Sequence, residues 1–139
     1  MGRKPQRRSG RLPKLTPVEL KLMQVFWERG DATAAEVREA LQDEHPLAAT
    51  TIHTVITKLR EKGYLEPIPT VERSVRFAPC VKRGQVARRS LRELLDDFFG
   101  GSPKSLMAQL LKEESLDEAE MAEIRKMLWA SKNRGGKTK

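Results

Sequence analysis

From Ala49 to Gly63 apolar and polar positions recur with a helical period. Ile52, Val55, Ile56 and Leu59 fall at i, i+3, i+4 and i+7, which is one apolar stripe. Thr50, His53, Thr54 and Thr57 project from roughly the opposite side, with Thr51 and Lys58 at its margin. The run is rich in β-branched residues, so a strand is the competing reading. Strict alternation fails, because Val55 and Leu59 would share a face with Thr51, His53 and Thr57. Gly63 just past Lys62 has the form of a helix C-cap with a cation in the last turn. The pattern predicts a helix with one face to bury and another that offers hydroxyls, an imidazole and an amine.

Two shorter helices precede it. Thr16-Pro17-Val18-Glu19 is a capping box with proline at the first helical position. The helix it opens ends at Gly30 and should bury Val18, Leu22, Val25, Phe26 and Trp27. Thr33-Ala34-Ala35-Glu36 repeats the signature, opening a helix to about Leu41 that buries Val37, Ala40 and Leu41. Pro46 bars its continuation. Short helices joined tightly, the later one with a polar face, form a helix-turn-helix. After Gly63 the period changes. Tyr64–Ile68 and Val75–Ala78 are extended, with a polar turn between them. Pro67 and Pro69 confine the first strand to an edge or make it irregular. The expected fold is therefore mostly α with a small β-hairpin wing, a winged helix-turn-helix. Thr50, Thr51, His53, Thr54 and Thr57 would face the DNA major groove, with Lys58 on phosphate. Arg73 at the wing tip and Arg76 nearby would meet phosphates or the minor groove.

From about Val81 the chain is helical again. Leu91, Leu94, Leu95 and Phe98 keep one stripe, stopped by Gly100-Gly101. Ser102 caps a short helix with Leu106, Met107, Leu110 and Leu111 on its apolar side. Ser115-Leu116-Asp117-Glu118 is a third capping box, opening a helix with Met121, Ile124 and Leu128 in phase. Three short helices bury little alone. A second copy is the favoured partner, because a palindrome needs two recognition helices about one DNA turn apart. The expected organisation is a disordered basic arm (1–14), a winged-helix domain (15–80), a helical dimerisation domain (81–130) and a disordered basic tail (131–139).

Charge sharpens this picture. The net charge is +8 over 139 residues. Arg3, Lys4, Arg7, Arg8, Arg11 and Lys14 stand in the arm without an acid, and Lys132, Arg134, Lys137 and Lys139 in the tail. Residues 50–90 are basic and residues 91–130 acidic, which suggests a polyanion partner for the first part and the tails. No apolar run approaches the roughly 20 residues that cross a membrane. No apolar block follows the basic start, so no secretory leader is expected. The single cysteine, Cys80, excludes an internal disulfide and fits a reducing cytoplasm. His45 and His53 are too few for a metal site. Asp96 and Asp97 diverge on a helix, and no phosphate loop or catalytic triad pattern is found. No enzymatic activity, metal or cofactor is expected.

Three stretches together resemble the penicillinase-repressor family of bacterial transcription regulators. They are Leu15–Glu19 with Val25-Phe26-Trp27, Thr50–Leu59 ahead of Lys62-Gly63, and Phe99–Pro103 with the helices after it. The resemblance covers about Leu15 to Leu128. It implies a homodimeric repressor whose N-terminal domain binds operator DNA and whose C-terminal helices dimerise. The dimerisation residues would be Leu91, Leu94, Leu95, Phe98, Leu106, Leu110, Met121, Ile124 and Leu128. Thr50, Thr51, Thr54, Lys58 and His53 match the family's recognition helix, and Arg73 its wing arginine. The family often has Gly before that arginine, whereas this chain has Glu72. Copper-responsive members carry C-terminal Cys-x-Cys pairs, which are absent here. Staphylococcal-type members are inactivated by cleavage of an Asn-Phe bond. Gln109-Leu110 stands at that place, the candidate induction site for a protease acting with a sensor. The expected function is repression by promoter occlusion at a pseudo-palindromic operator. A MarR-like ligand-gated regulator and a winged-helix protein-interaction module are the alternatives.

Overall fold

The computed structural model describes residues 12–138, with the side chains of 134–138 left out of the description. Two threonine capping boxes start the fold. Thr16 Oγ1 accepts from the Glu19 N–H at 3.2 Å, and Glu19 Oε1 accepts from the Thr16 N–H at 2.9 Å. This opens α1, Pro17–Arg29, which ends at Gly30. Thr33 and Glu36 repeat the exchange at 3.1 and 3.2 Å, opening α2, Ala34–Ala40. Each such cap contributes about 1 kcal/mol. Helix α3, Ala49–Lys62, starts at Ala48 without a side-chain cap. It ends at Gly63, whose φ of 90° lies in the left-handed region that favours glycine.

The apolar stripes meet in one core. Leu22, Met23 and Phe26 of α1, Val37 of α2, and Ile52, Ile56 and Leu59 of α3 are all buried. Tyr64, Leu65 and Phe77 close it from the sheet side. Full burial of each large apolar side chain is worth roughly 1.5–3 kcal/mol. Ala40, expected inside, is exposed, because α2 ends at it and its last turn faces out. Val18 and Trp27 are half-buried.

The sheet has one strand more than the expected hairpin. Strands β1 (Ala32–Thr33), β2 (Leu65–Ile68) and β3 (Arg76–Pro79) are antiparallel in the order β1-β3-β2. Phe77 pairs with Ala32 on one side and Pro67 on the other. A two-residue strand has no period for the sequence to display, so β1 carries no signature of its own. Pro67 lies in the edge strand β2, where a missing donor is tolerated.

The chain divides into two compact units between Arg89 and Ser90, nine residues beyond the expected boundary. Helix α4, Arg83–Phe99, begins in the first unit and continues into the second. The reason is local. Val81 and Val86 pack on the first core, and Trp27 Nε1 donates to the Val81 carbonyl at 2.9 Å.

In the second unit, Gly100 and Gly101 take φ of 56° and 74°, and the Gly101 N–H reaches back to the Leu95 carbonyl at 2.9 Å. Ser102 caps α5, Pro103–Glu113. The cap of α6, Glu118–Thr138, is not the expected Ser115–Glu118 pair. Asp117 Oδ1 accepts from the Glu120 N–H at 2.8 Å, and Glu120 Oε1 from the Asp117 N–H at 3.3 Å. A carboxylate outcompetes a hydroxyl at the positive end of a helix. The backbone stays helical through Thr138, against the expected disordered tail. No proline interrupts α6, and cations near a helix C-terminus are favourable.

Of the apolar residues assigned to dimerisation, Leu95 is buried, and Leu106 and Ile124 are half-buried. Leu91, Leu94, Phe98, Leu110, Met121 and Leu128 are exposed, Phe98 by 76%.

Candidate nucleic-acid interface

Burying Ile52, Ile56 and Leu59 leaves α3 only one orientation. Thr50, Thr51, His53, Thr54, Thr57 and Lys58 are then all exposed. Thr54 Oγ1 donates to the Thr50 carbonyl and Thr57 Oγ1 to the His53 carbonyl, both at 3.0 Å. These bonds occupy the hydroxyl hydrogens. They leave oxygen lone pairs and methyl groups outward, suited to adenine or cytosine amino groups and to thymine methyls. An open groove of about 400 Å³ runs between α2 and the start of α3, lined by Ala35, Arg38, Glu39, Gln42 and His53 among others. Arg38 Nε donates to the Leu47 carbonyl at 3.0 Å, which braces the turn between these helices.

The far end of α3 is tied to the start of the chain. Lys62 Nζ meets Glu19 Oε1 at 2.6 Å and the Lys14 carbonyl at 2.8 Å. Tyr64 Oη donates to the Pro13 carbonyl at 2.6 Å, and Leu12 packs into the core. The disorder expected of residues 1–14 therefore does not hold for Leu12 to Lys14. Residues 1–11 lie outside the described ones. Glu19 is 3% exposed. Burial alone would raise its carboxyl, but the Lys62 ammonium and the Thr16 N–H together hold it below the ordinary value. The sequence carried no signal for this pair, since its members are 43 residues apart. The capping box accounts for Glu19 by itself.

The wing loop, residues 69–75, joins β2 to β3, and Arg73 on it is exposed. Arg76 is not the outward cation that was expected. Its side chain is 19% exposed and its guanidinium meets three carboxylates. Asp31 Oδ1 lies at 2.7 Å, Glu36 Oε2 at 3.0 Å and Glu72 Oε1 at 3.1 Å. These acids, Glu72 first, hold its pKa above the ordinary arginine value. The Glu36 carboxyl is in turn held low by the Thr33 N–H and then by Arg76. A guanidinium surrounded this way is held by the fold.

Gln109 and Leu110 are exposed on α5, where Gln109 Nε2 donates to Glu113 Oε2 at 2.9 Å. Among the described residues, no cluster of three or more His, Cys, Asp or Glu could hold a metal ion. Also among these, no helix is long and apolar enough to cross a membrane.

Residues 15–130 match the penicillinase repressor family. The chain belongs to that family. It is 24% identical over 115 residues to the penicillinase repressor of Staphylococcus aureus, covering 83% of this chain and 90% of that one. The penicillinase repressor of Bacillus licheniformis is 24% identical over 124 residues, 89% of this chain and 96% of the relative. Among solved structures, the DNA binding domain of the repressor BlaI is similar at a TM-score of 0.47 and 24% identity, covering 54% of this chain and 90% of that one. The match to the penicillinase repressor family begins at Leu15, so the basic residues of the arm precede it.

Proposed function

We propose that this member of the penicillinase repressor family is a DNA-binding transcriptional repressor that acts as a homodimer on a pseudo-palindromic operator. The observation that carries the reading is the α3 face of Thr50, Thr51, His53, Thr54, Thr57 and Lys58, exposed opposite buried Ile52, Ile56 and Leu59. Solvated helix faces are usually Glu, Lys and Gln, since threonine is a poorer helix former. A row of short hydroxyls and methyls suits base edges in the major groove. Lys58 and Arg73 neutralise phosphates, and binding weakens as salt rises.

Exposed Leu91, Leu94, Phe98, Leu110 and Leu128 support dimerisation through the second unit. The dimer represses by occupying DNA that polymerase needs. Cleavage at Gln109-Leu110 would sever α6 from α4 and remove part of that apolar surface. The bond lies within a helix, so a protease must first unwind α5.

Fluorescence anisotropy tests the reading, using the full chain, a duplex from upstream of its own gene and a scrambled duplex at two salt concentrations. A preference of about a thousandfold or more for the upstream DNA is expected of a specific repressor. Equal, salt-sensitive affinity for both duplexes would refute it for that DNA.

A further inference from the structure

Glu72 immediately precedes Arg73, the exposed cation of the wing loop. An acid beside a phosphate-binding cation should weaken DNA binding, so its presence needs a reason. The loop that carries it has little else to hold it. Val71 and Val75 are exposed, as are the remaining residues from Pro69 to Ser74. Both Glu72 oxygens accept from Arg76, from Nε at 3.1 Å and from Nη2 at 3.3 Å. Arg76 is itself fixed. It opens the central strand β3 and pairs with Thr33 and Ile68 on either side. Its other contacts reach Asp31 in the turn after α1 and Glu36 in the first turn of α2. One guanidinium thus joins the wing loop to the helix-turn-helix. The Glu72 N–H adds a second restraint by donating to Thr70 Oγ1 at 3.1 Å.

We infer that Glu72 and Arg76 form a clamp that sets the wing loop so that Arg73 meets the DNA backbone. Glu72 and Arg76 are positioning residues, and Arg73 is the one that touches DNA. The inference rests on the repressor reading for its ligand, but the clamp itself can be read without DNA. The same contact pairs Glu72 with a cation, so the acid does not face the phosphates unpaired.

Glu72→Ala separates the possibilities by sign. It leaves the Arg76 contacts with Asp31 and Glu36 in place, so the thermal midpoint should move by no more than about 2 °C. If Glu72 were only a repelling charge, its removal would tighten binding. The clamp predicts weakening, by roughly fivefold on the upstream duplex, with Glu72→Gln in between. Arg73→Ala should weaken the parent protein roughly tenfold and lower the salt slope by about one per protomer. In the Glu72→Ala background the same change should cost less than about twofold. Amide hydrogen exchange at residues 70–75 should speed up in Glu72→Ala without DNA. Tighter binding by Glu72→Ala, equal losses from Arg73→Ala in both backgrounds, or unchanged loop exchange would each overturn the clamp. Parent protein that does not prefer the upstream duplex fails the repressor reading instead, and loop exchange then decides the clamp alone.

Discussion

The two units use the same amphipathic helices to opposite ends. In the winged unit the stripes of α1, α2 and α3 face one another and a small sheet, and most of their large apolar side chains are buried. In the second unit α4, α5 and α6 show stripes as regular, yet Leu91, Phe98, Leu110, Leu111, Met127, Leu128 and Trp129 remain exposed in the single chain. Periodicity therefore says that a face must be covered but not by what. Two helices and a hairpin folded around a third satisfy it within one chain. Three helices linked by short loops leave much of it exposed in the single chain.

This contrast can be broken at its strongest point. Phe26→Ala should destabilise the winged unit by about 3–5 kcal/mol whatever the protein concentration. Phe98→Ala should instead lower stability in a concentration-dependent way and weaken dimerisation at least tenfold, or about 1.4 kcal/mol. Denaturation at several concentrations distinguishes them, and a concentration-independent loss for Phe98→Ala would mean its face is covered within the chain. Residues 12–89 alone should remain folded and monomeric by sedimentation. A stable dimer of that fragment would place the interface in the wrong unit.

Smaller effects sharpen the first unit. Lys62→Met leaves buried Glu19 without its cation and should cost about 1.5–3 kcal/mol in urea unfolding. The pH dependence should change with it. Glu19 titrates below its ordinary 4.5 in the folded chain. The stability it confers is therefore fully present above the unfolded value and is lost as pH falls through the lower folded value. Below about pH 4.5 the parent protein should lose stability more steeply than Lys62→Met. Parallel pH curves would show that Lys62 does not hold the Glu19 proton off. Thr54→Ala should cost roughly 1–3 kcal/mol on operator DNA and far less on random DNA. An equal loss on both would assign Thr54 to the backbone and not to a base edge.

Much of the fold was legible in short segments. Thr16, Thr33 and Ser102 cap α1, α2 and α5 as expected, and Gly30, Gly63 and Gly100-Gly101 follow the ends of α1, α3 and α4. The polar face of α3 was legible because its buried stripe is regular. The ion pairs of Arg76 were not legible, for an equally physical reason. Its neighbours in sequence make it a wing cation, whereas two of its three partners come from residues at least 40 positions away. Asp117 displaced Ser115 as a cap because two overlapping signatures competed, and charge at the helix end favoured the acid.

Interactions within about four residues depend only on local order, so caps, periods and stops could be read from the chain alone. Which polar side chains remain available depends on groups that approach from elsewhere. Folding drew Lys62 to Glu19, Tyr64 to Pro13, and Arg76 to Asp31 and Glu36, and left Arg73 and the threonine row of α3 facing solvent. Those long-range pairings persist because a partly buried charge or hydroxyl is costly without a partner. No local pattern records which partner will arrive.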